Sequence, residues 1–351
     1  MSAPEFTARQ TEREQLTVHV IWMTSGLGCD GDTVAMTAAT QPSLEDLLHR
    51  ALPGMPGVAL YNPFLAVESG EEFMRAWYDA EAGKLDPFIL VLEGAVPNEG
   101  INGDGHWAGL GTDPRTGQPI TTTEWIGRLA PQAAIVLALG TCAAYGGIPA
   151  MANNPTGAMG LRDHLGASWR SRLGHPIVNL PGCPVQPDNI TETLLYLVLQ
   201  LAGATAPIDL DDQGRPAWLF RRTAHEVCNR AGFADHNDYA DELGEPACLV
   251  KFGCKGPVVK CNVPARGWMN GIGGCPNVGG ICMACTMPGF PDKYMPLFDT
   301  GPKGKVIAAA SRFAYGPVLK QLREKRMKRH YDIEPEWRRP GALASGYEPR
   351  W

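Results

Sequence analysis

Ten cysteines, one histidine and one aspartate fall along this chain as three groups of four: Cys29, Asp32, Cys142 and Cys183; His225, Cys228, Cys248 and Cys254; Cys261, Cys275, Cys282 and Cys285. Four donors per group is the ligand count of a cubane iron–sulfur cluster, and no cysteine is left over. Imidazole in place of a thiolate removes a negative charge and raises a cluster's potential, while a carboxylate is a harder, weaker donor to iron. The chemistry would be passage of single electrons. The local spacings also fit zinc. Cys282-Met-Ala-Cys285 with Cys261 and Cys275 is a four-cysteine pattern, and His225-x-x-Cys228 with Cys248 and Cys254 is a Cys3His pattern. Cys29-Asp-Gly-Asp32 would be C-x-x-C if Asp32 were cysteine. Taken alone, an aspartate there is an ordinary loop or helix-cap residue.

The remaining composition narrows the class. The chain has 351 residues, 44% of them hydrophobic and 19% charged, enough for about two globular domains. Disulfide frameworks belong mainly to small secreted chains. No apolar leader, twin-arginine pair or stretch of membrane-spanning length is visible, so the expected location is the cytoplasm, without a direct membrane span. A net charge of −6 gives no reason to expect nucleic acid. The basic run at 323–330 reads as a solvated helix face or a docking surface.

Positioning these donors requires a scaffold. Apolar runs at 16–23 (LTVHVIWM), 88–96 (FILVLEGAV), 133–140 (AAIVLALG) and 176–180 (PIVNL) predict strands buried on both faces. Helical stretches lie between or after them, at 43–52, 71–79, 122–129 and 191–201, with Ser43 and Asp46 capping the first. This alternation predicts an α/β, doubly wound N-terminal domain over 1–203. The first group's donors follow the first, third and fourth of these strands, so they can converge at one sheet edge. Residues 204–218 read as a linker. Residues 220–351 then form a loop-rich domain stapled by metal, ending in a helical tail from about Lys305.

The residues also resemble the small, electron-transferring subunit of nickel–iron hydrogenases over about 15–300. The resemblance rests on CDGDTVAMTAATQP at 29–42, VLEGAVP at 91–97, NGDGHWA at 102–108, LGTCAAYGGIPA at 139–150, NLPGCPVQPDN at 179–189, HEVC at 225–228, CLVKFGCKGP at 248–257 and GICMACTMPGFPD at 280–292. It implies a flavodoxin-like first domain and three iron–sulfur clusters. Cys29, Cys142 and Cys183 would be proximal ligands, His225, Cys228, Cys248 and Cys254 distal ones, and Cys261, Cys282 and Cys285 medial ones. Ungapped alignment puts Asp32 at the family's second proximal cysteine, and Cys275 supplies a fourth medial donor, favouring 4Fe–4S there over 3Fe–4S. The resemblance extends to an actinobacterial-type branch associated with oxygen-tolerant H2 oxidation. Gly31 and Gly147 occupy the places of the two extra cysteines of membrane-bound relatives, and Gly28 replaces an acid that often precedes the first cysteine.

The function so implied is a relay from H2 oxidation to an unknown acceptor, in an uptake enzyme. The partner is a large subunit with nickel and iron, assembled as a dimer of heterodimers. Glu93 is expected beside the proximal ligands, and Trp268 and Phe290 are expected to shield clusters from water. The alternatives are a subunit of a cofactor-reducing hydrogenase, a complex-I-type carrier, or a zinc-stapled interaction protein.

Overall fold

The computed structural model describes residues 14–51, 54–101 and 106–298. The expected helical tail and the basic run at 323–330 lie outside them. Two compact units emerge: one contains the chain up to Asn229 together with Cys254–Phe298, and the other contains Arg230–Gly253.

Five parallel strands organise the first unit: β1 (Thr17–Thr24), β2 (Gly57–Tyr61), β3 (Phe88–Glu93), β6 (Ile135–Leu139) and β7 (Val178–Leu180), in the order β2-β1-β3-β6-β7. Between β3 and β6, β4 (Gly109–Thr112) and β5 (Pro119–Thr121) form a separate antiparallel pair. Counting only the sheet's own strands, the order is the flavodoxin-like 2-1-3-4-5, with its topological switch between β1 and β3. The four expected strands are β1, β3, β6 and β7. The sequence reading misses β2 because an edge strand needs no continuous apolar run; after Gly57 its residues are only half-buried.

Alternation along the strands sends apolar side chains to both faces. Val18, Val20, Trp22, Ile89, Val91, Leu137 and Leu139 face one layer, covered by Leu47 of α2 (Leu44–Leu48) and by Ile190, Leu194 and Leu197 of α7 (Pro187–Leu201). Ile21, Met23, Leu90, Leu92 and Val136 face the other, under Trp77 of α3 (Gly70–Glu81), Trp125 of α4 (Thr122–Leu129) and Leu161 of α6 (Leu161–Leu165). Each such side chain, fully buried, contributes about 1.5–3 kcal/mol. The expected cap of α2 is a full capping box: Asp46 N donates to Ser43 Oγ and Ser43 N to Asp46 Oδ2, both at 3.0 Å. The expected helix 191–201 begins earlier, because Pro187 takes a first-turn position where its missing N–H costs nothing.

The stretch 204–218 corrects the sequence reading. It is a packed turn, not a linker. Asn179 N at the edge of β7 donates to Gly214 O at 2.8 Å, Leu210 bridges Pro216, and Arg215 is buried.

Residues 254–298 contain little regular structure beyond α9 (Val263–Arg266) and isolated 3-10 turns. Polar side chains tie them to the start of α7. Gln186 Nε2 donates to Gly267 O at 2.9 Å, and Asn189 and Asn262 exchange side-chain hydrogen bonds at 2.8 Å. Within Arg230–Gly253, α8 (Ala231–Asp235) and Tyr239 pack on Cys248 and Val250.

Candidate functional site

Four strands deliver side chains to one edge of the sheet. After β1, a left-handed Asp30 turns the chain into α1 (Gly31–Met36), placing Cys29 before the turn and Asp32 inside it. Cys142 stands on α5 (Gly140–Tyr145), which starts where β6 ends, and Cys183 follows β7. Glu93 closes β3 and is buried.

Asp32 is only 8% exposed. Its Oδ1 accepts from Val185 N at 2.7 Å. Burial pushes its carboxyl up to about 8; the negative charges of Glu93 and Asp30 push the same way, and the Val185 amide opposes them. Its Oδ2 fills the space beside Gly140, where any β-carbon would sit 2.0 Å away, and Gly140 also has a positive φ of 82°. Glycine is therefore required there both for space and for backbone conformation.

The thiols gathered near Asp32 act on one another. Burial pushes Cys142 up to about 12, and Cys183, Asp32 and Cys29 add to it. Cys183 reaches the surface, yet it is raised by its surroundings first and then by Asp32 and Cys29. Glu93 is not another donor to this group; it clamps the group's backbone. Its Oε1 accepts from the amides of Asp32 (2.8 Å) and Thr33 (3.1 Å), and its Oε2 from Trp22 Nε1 (2.9 Å) and Thr33 Oγ1 (2.5 Å). Glu93 thus meets the chain at the start of α1, beside Asp32.

Cys261, Cys275, Cys282 and Cys285 also gather. Burial pushes Cys261 up to about 12 and raises Cys285 well above the ordinary thiol value; Cys261, Cys275 and Cys282 all add to the rise at Cys285. Cys282 is raised by burial against a bond from the Ala284 amide, and Cys275 by burial and Cys254. Phe290 is buried nearby in sequence, whereas Trp268 is only half-buried.

Of the group that begins with His225, His225 itself and Cys254 meet around Gly256: a β-carbon on that glycine would lie 3.5 Å from Cys254 Sγ and 3.6 Å from His225 Cβ. Cys228 follows one turn later, its amide donating to His225 O at 3.2 Å. Cys248 belongs to the unit Arg230–Gly253, buried against Tyr239 and Val250.

The groups are joined by contacts invisible in the sequence. Thr141 Oγ1, beside Cys142, donates to the carbonyl of Cys285 across 144 residues. Cys282 N donates to Cys254 Sγ at 3.4 Å, and Lys255 N to Cys282 O at 2.8 Å. Among the described residues no three His, Cys, Asp or Glu side chains are drawn in as one bound metal ion would require. The donor sets fit iron–sulfur clusters. To bind iron, these thiols and the Asp32 carboxyl must give up their protons.

The comparisons with known proteins agree with this geometry. Residues 29–197 match the family of the NADH ubiquinone oxidoreductase 20 Kd subunit, and residues 220–298 match the C-terminal family of the NiFe/NiFeSe hydrogenase small subunit. Among solved structures, the actinobacterial-type NiFe-hydrogenase from Ralstonia eutropha H16 is 57% identical, with 95% of this chain and 96% of that one covered and a TM-score of 0.82. The reduced, active Ni-Fe-Se hydrogenase from Desulfomicrobium baculatum is 31% identical, covering 80% and 98%, with a TM-score of 0.70. The periplasmic [NiFeSe] hydrogenase small subunit of the same organism is 33% identical over 292 residues, 80% of this chain and 86% of that protein. The C-terminal match separates the chain from complex-I-type carriers, which its N-terminal match alone would not. With both halves matched in order and the cysteine groups gathered at the sheet edge and in the C-terminal loops, the chain belongs to the small subunits of nickel–iron hydrogenases.

Proposed function

We propose that this chain carries electrons from H2 oxidation in a nickel–iron large subunit through three iron–sulfur clusters, as part of an uptake hydrogenase of the oxygen-tolerant, actinobacterial type. Cys29, Asp32, Cys142 and Cys183 hold the proximal cluster. Cys261, Cys275, Cys282 and Cys285 hold the medial one, read as 4Fe–4S because Cys275 is gathered with the others. His225, Cys228, Cys248 and Cys254 hold the distal one. When bound, the clusters take up and pass on single electrons, which matters because H2 yields two electrons and two protons at once. The chain's own residues fix the ligands, exclude water and set each cluster's surroundings.

The observation that carries this reading is the pair of direct links, Thr141 to Cys285 and Cys282 to Cys254, which join the three groups in sequence. Purification with the large subunit, iron analysis and redox-titrated electron spin resonance test it. Three clusters are expected. Asp32→Cys is expected to change the proximal signal and leave the other two in place; an unchanged proximal signal would refute Asp32 as a ligand.

A further inference from the structure

The packed turn before Phe220 buries a full positive charge. Arg215 is 1% exposed. Its Nε donates to Asp211 Oδ2 at 2.9 Å, and its Nη2 lies 2.8 Å from the same oxygen. Its Nη1 turns elsewhere and donates to the Thr286 carbonyl at 3.2 Å. The guanidinium lies over the Phe220 ring, 4.8 Å from its centroid. Thr286 follows Cys285, and its hydroxyl donates at 2.9 Å to the carbonyl of Lys260, which precedes Cys261. The cation is therefore fixed to backbone that carries two medial cysteines.

Burying a guanidinium is costly unless it is paired and fully bonded. An Asp211–Arg215 pair that only closed a turn could do so at the surface. Here the charge is carried inward, onto the carbonyl of the residue that follows Cys285. An arginine does not lose its proton in a protein, so this charge is permanent.

We propose that Arg215 is a positioning residue of the relay: its fixed charge, held by Asp211 and aimed at Thr286, favours the reduced state at Cys261, Cys275, Cys282 and Cys285. This rests on the assignment of those four as the medial ligands. One electron arrives from the proximal side and one leaves toward the distal side in each passage. Arg215 alters how readily the electron rests between them, and the stoichiometry is unchanged. Cluster potentials respond to nearby charge and hydrogen bonding in this way.

The test is a redox titration of the medial electron spin resonance signal in the assembled two-subunit enzyme. Arg215→Gln is expected to lower the equilibrium constant for one-electron reduction about tenfold, a fall of about 59 mV. Asp211→Asn is expected to shift the signal the opposite way, because the cation is then less neutralised. Arg215→Lys, which keeps the charge, is expected to restore most of the original potential. Shifts of the same sign in Arg215→Gln and Asp211→Asn, or none in either, would overturn the proposal. If Arg215→Gln does not assemble, Asp211→Asn decides alone: a rise supports the proposal, and a fall or no change overturns it. Absence of any medial signal in the unaltered enzyme would refute the ligand assignment itself, before any variant is compared.

Discussion

The sheet edge and the loops of 254–298 hold their cysteines by different means. At the edge, Cys29, Cys142 and Cys183 hang from strands whose register is set by two apolar layers that involve no cysteine. In the loops, the small cluster of Ala224, Val259 and Ala284 counts Cys261 among its buried members, with Cys282 packed against it. There the cysteines are themselves part of the local core. The first arrangement presents its cysteines from a scaffold whose apolar layers contain none of them. On the proposed function, the second gains its order from the clusters it would bind, because a segment with so little apolar surface cannot offset its chain entropy otherwise.

Removing iron should give the largest difference between the two regions. Amides of β1, β3 and β6 are expected to keep slow hydrogen exchange after chelation, while those of 254–298 lose theirs. Equal protection in both regions would break the comparison. Leu137→Ala acts on the scaffold alone: it should cost about 2–5 kcal/mol in denaturant unfolding, with visible absorption unchanged below the transition. Glu93→Gln probes the joint between scaffold and ligand. It weakens a charged acceptor that takes four hydrogen bonds, so a loss of about 1.5–3 kcal/mol is expected. It should also alter the proximal spectrum and spare the medial one. Ser43→Ala, whose side chain bonds only within its own helix cap, should cost about 1 kcal/mol through the lost cap and leave all spectra intact.

The legible parts of this molecule are those written in short-range pattern. Strands β1, β3, β6 and β7 show as apolar runs because they are buried on both faces, and Ser43 with Asp46 signals its cap within four residues. The cysteines stand out by motif and spacing, whereas the reading of Asp32 comes only from alignment, since an aspartate alone carries no ligand signature. What escapes is long-range. Strand β2 is half-exposed, so its pattern is faint. Arg215 lies among acidic and turn-forming residues that suggest solvent, and nothing near it in sequence reveals Thr286 as its partner. The Glu93 clamp on α1 depends on a neighbour some sixty residues away.

The hydrogen bond from Thr141 to Cys285 bears on how such a chain can be recombined. Its donor is a hydroxyl that few residue types supply, but its acceptor is a backbone carbonyl that every residue has. A chimera that grafts a relative's cluster region after α7 would keep this joint whatever side chains the graft brings, provided its backbone follows the same course. The reverse graft, with a foreign sheet domain lacking a hydroxyl at position 141, would lose it.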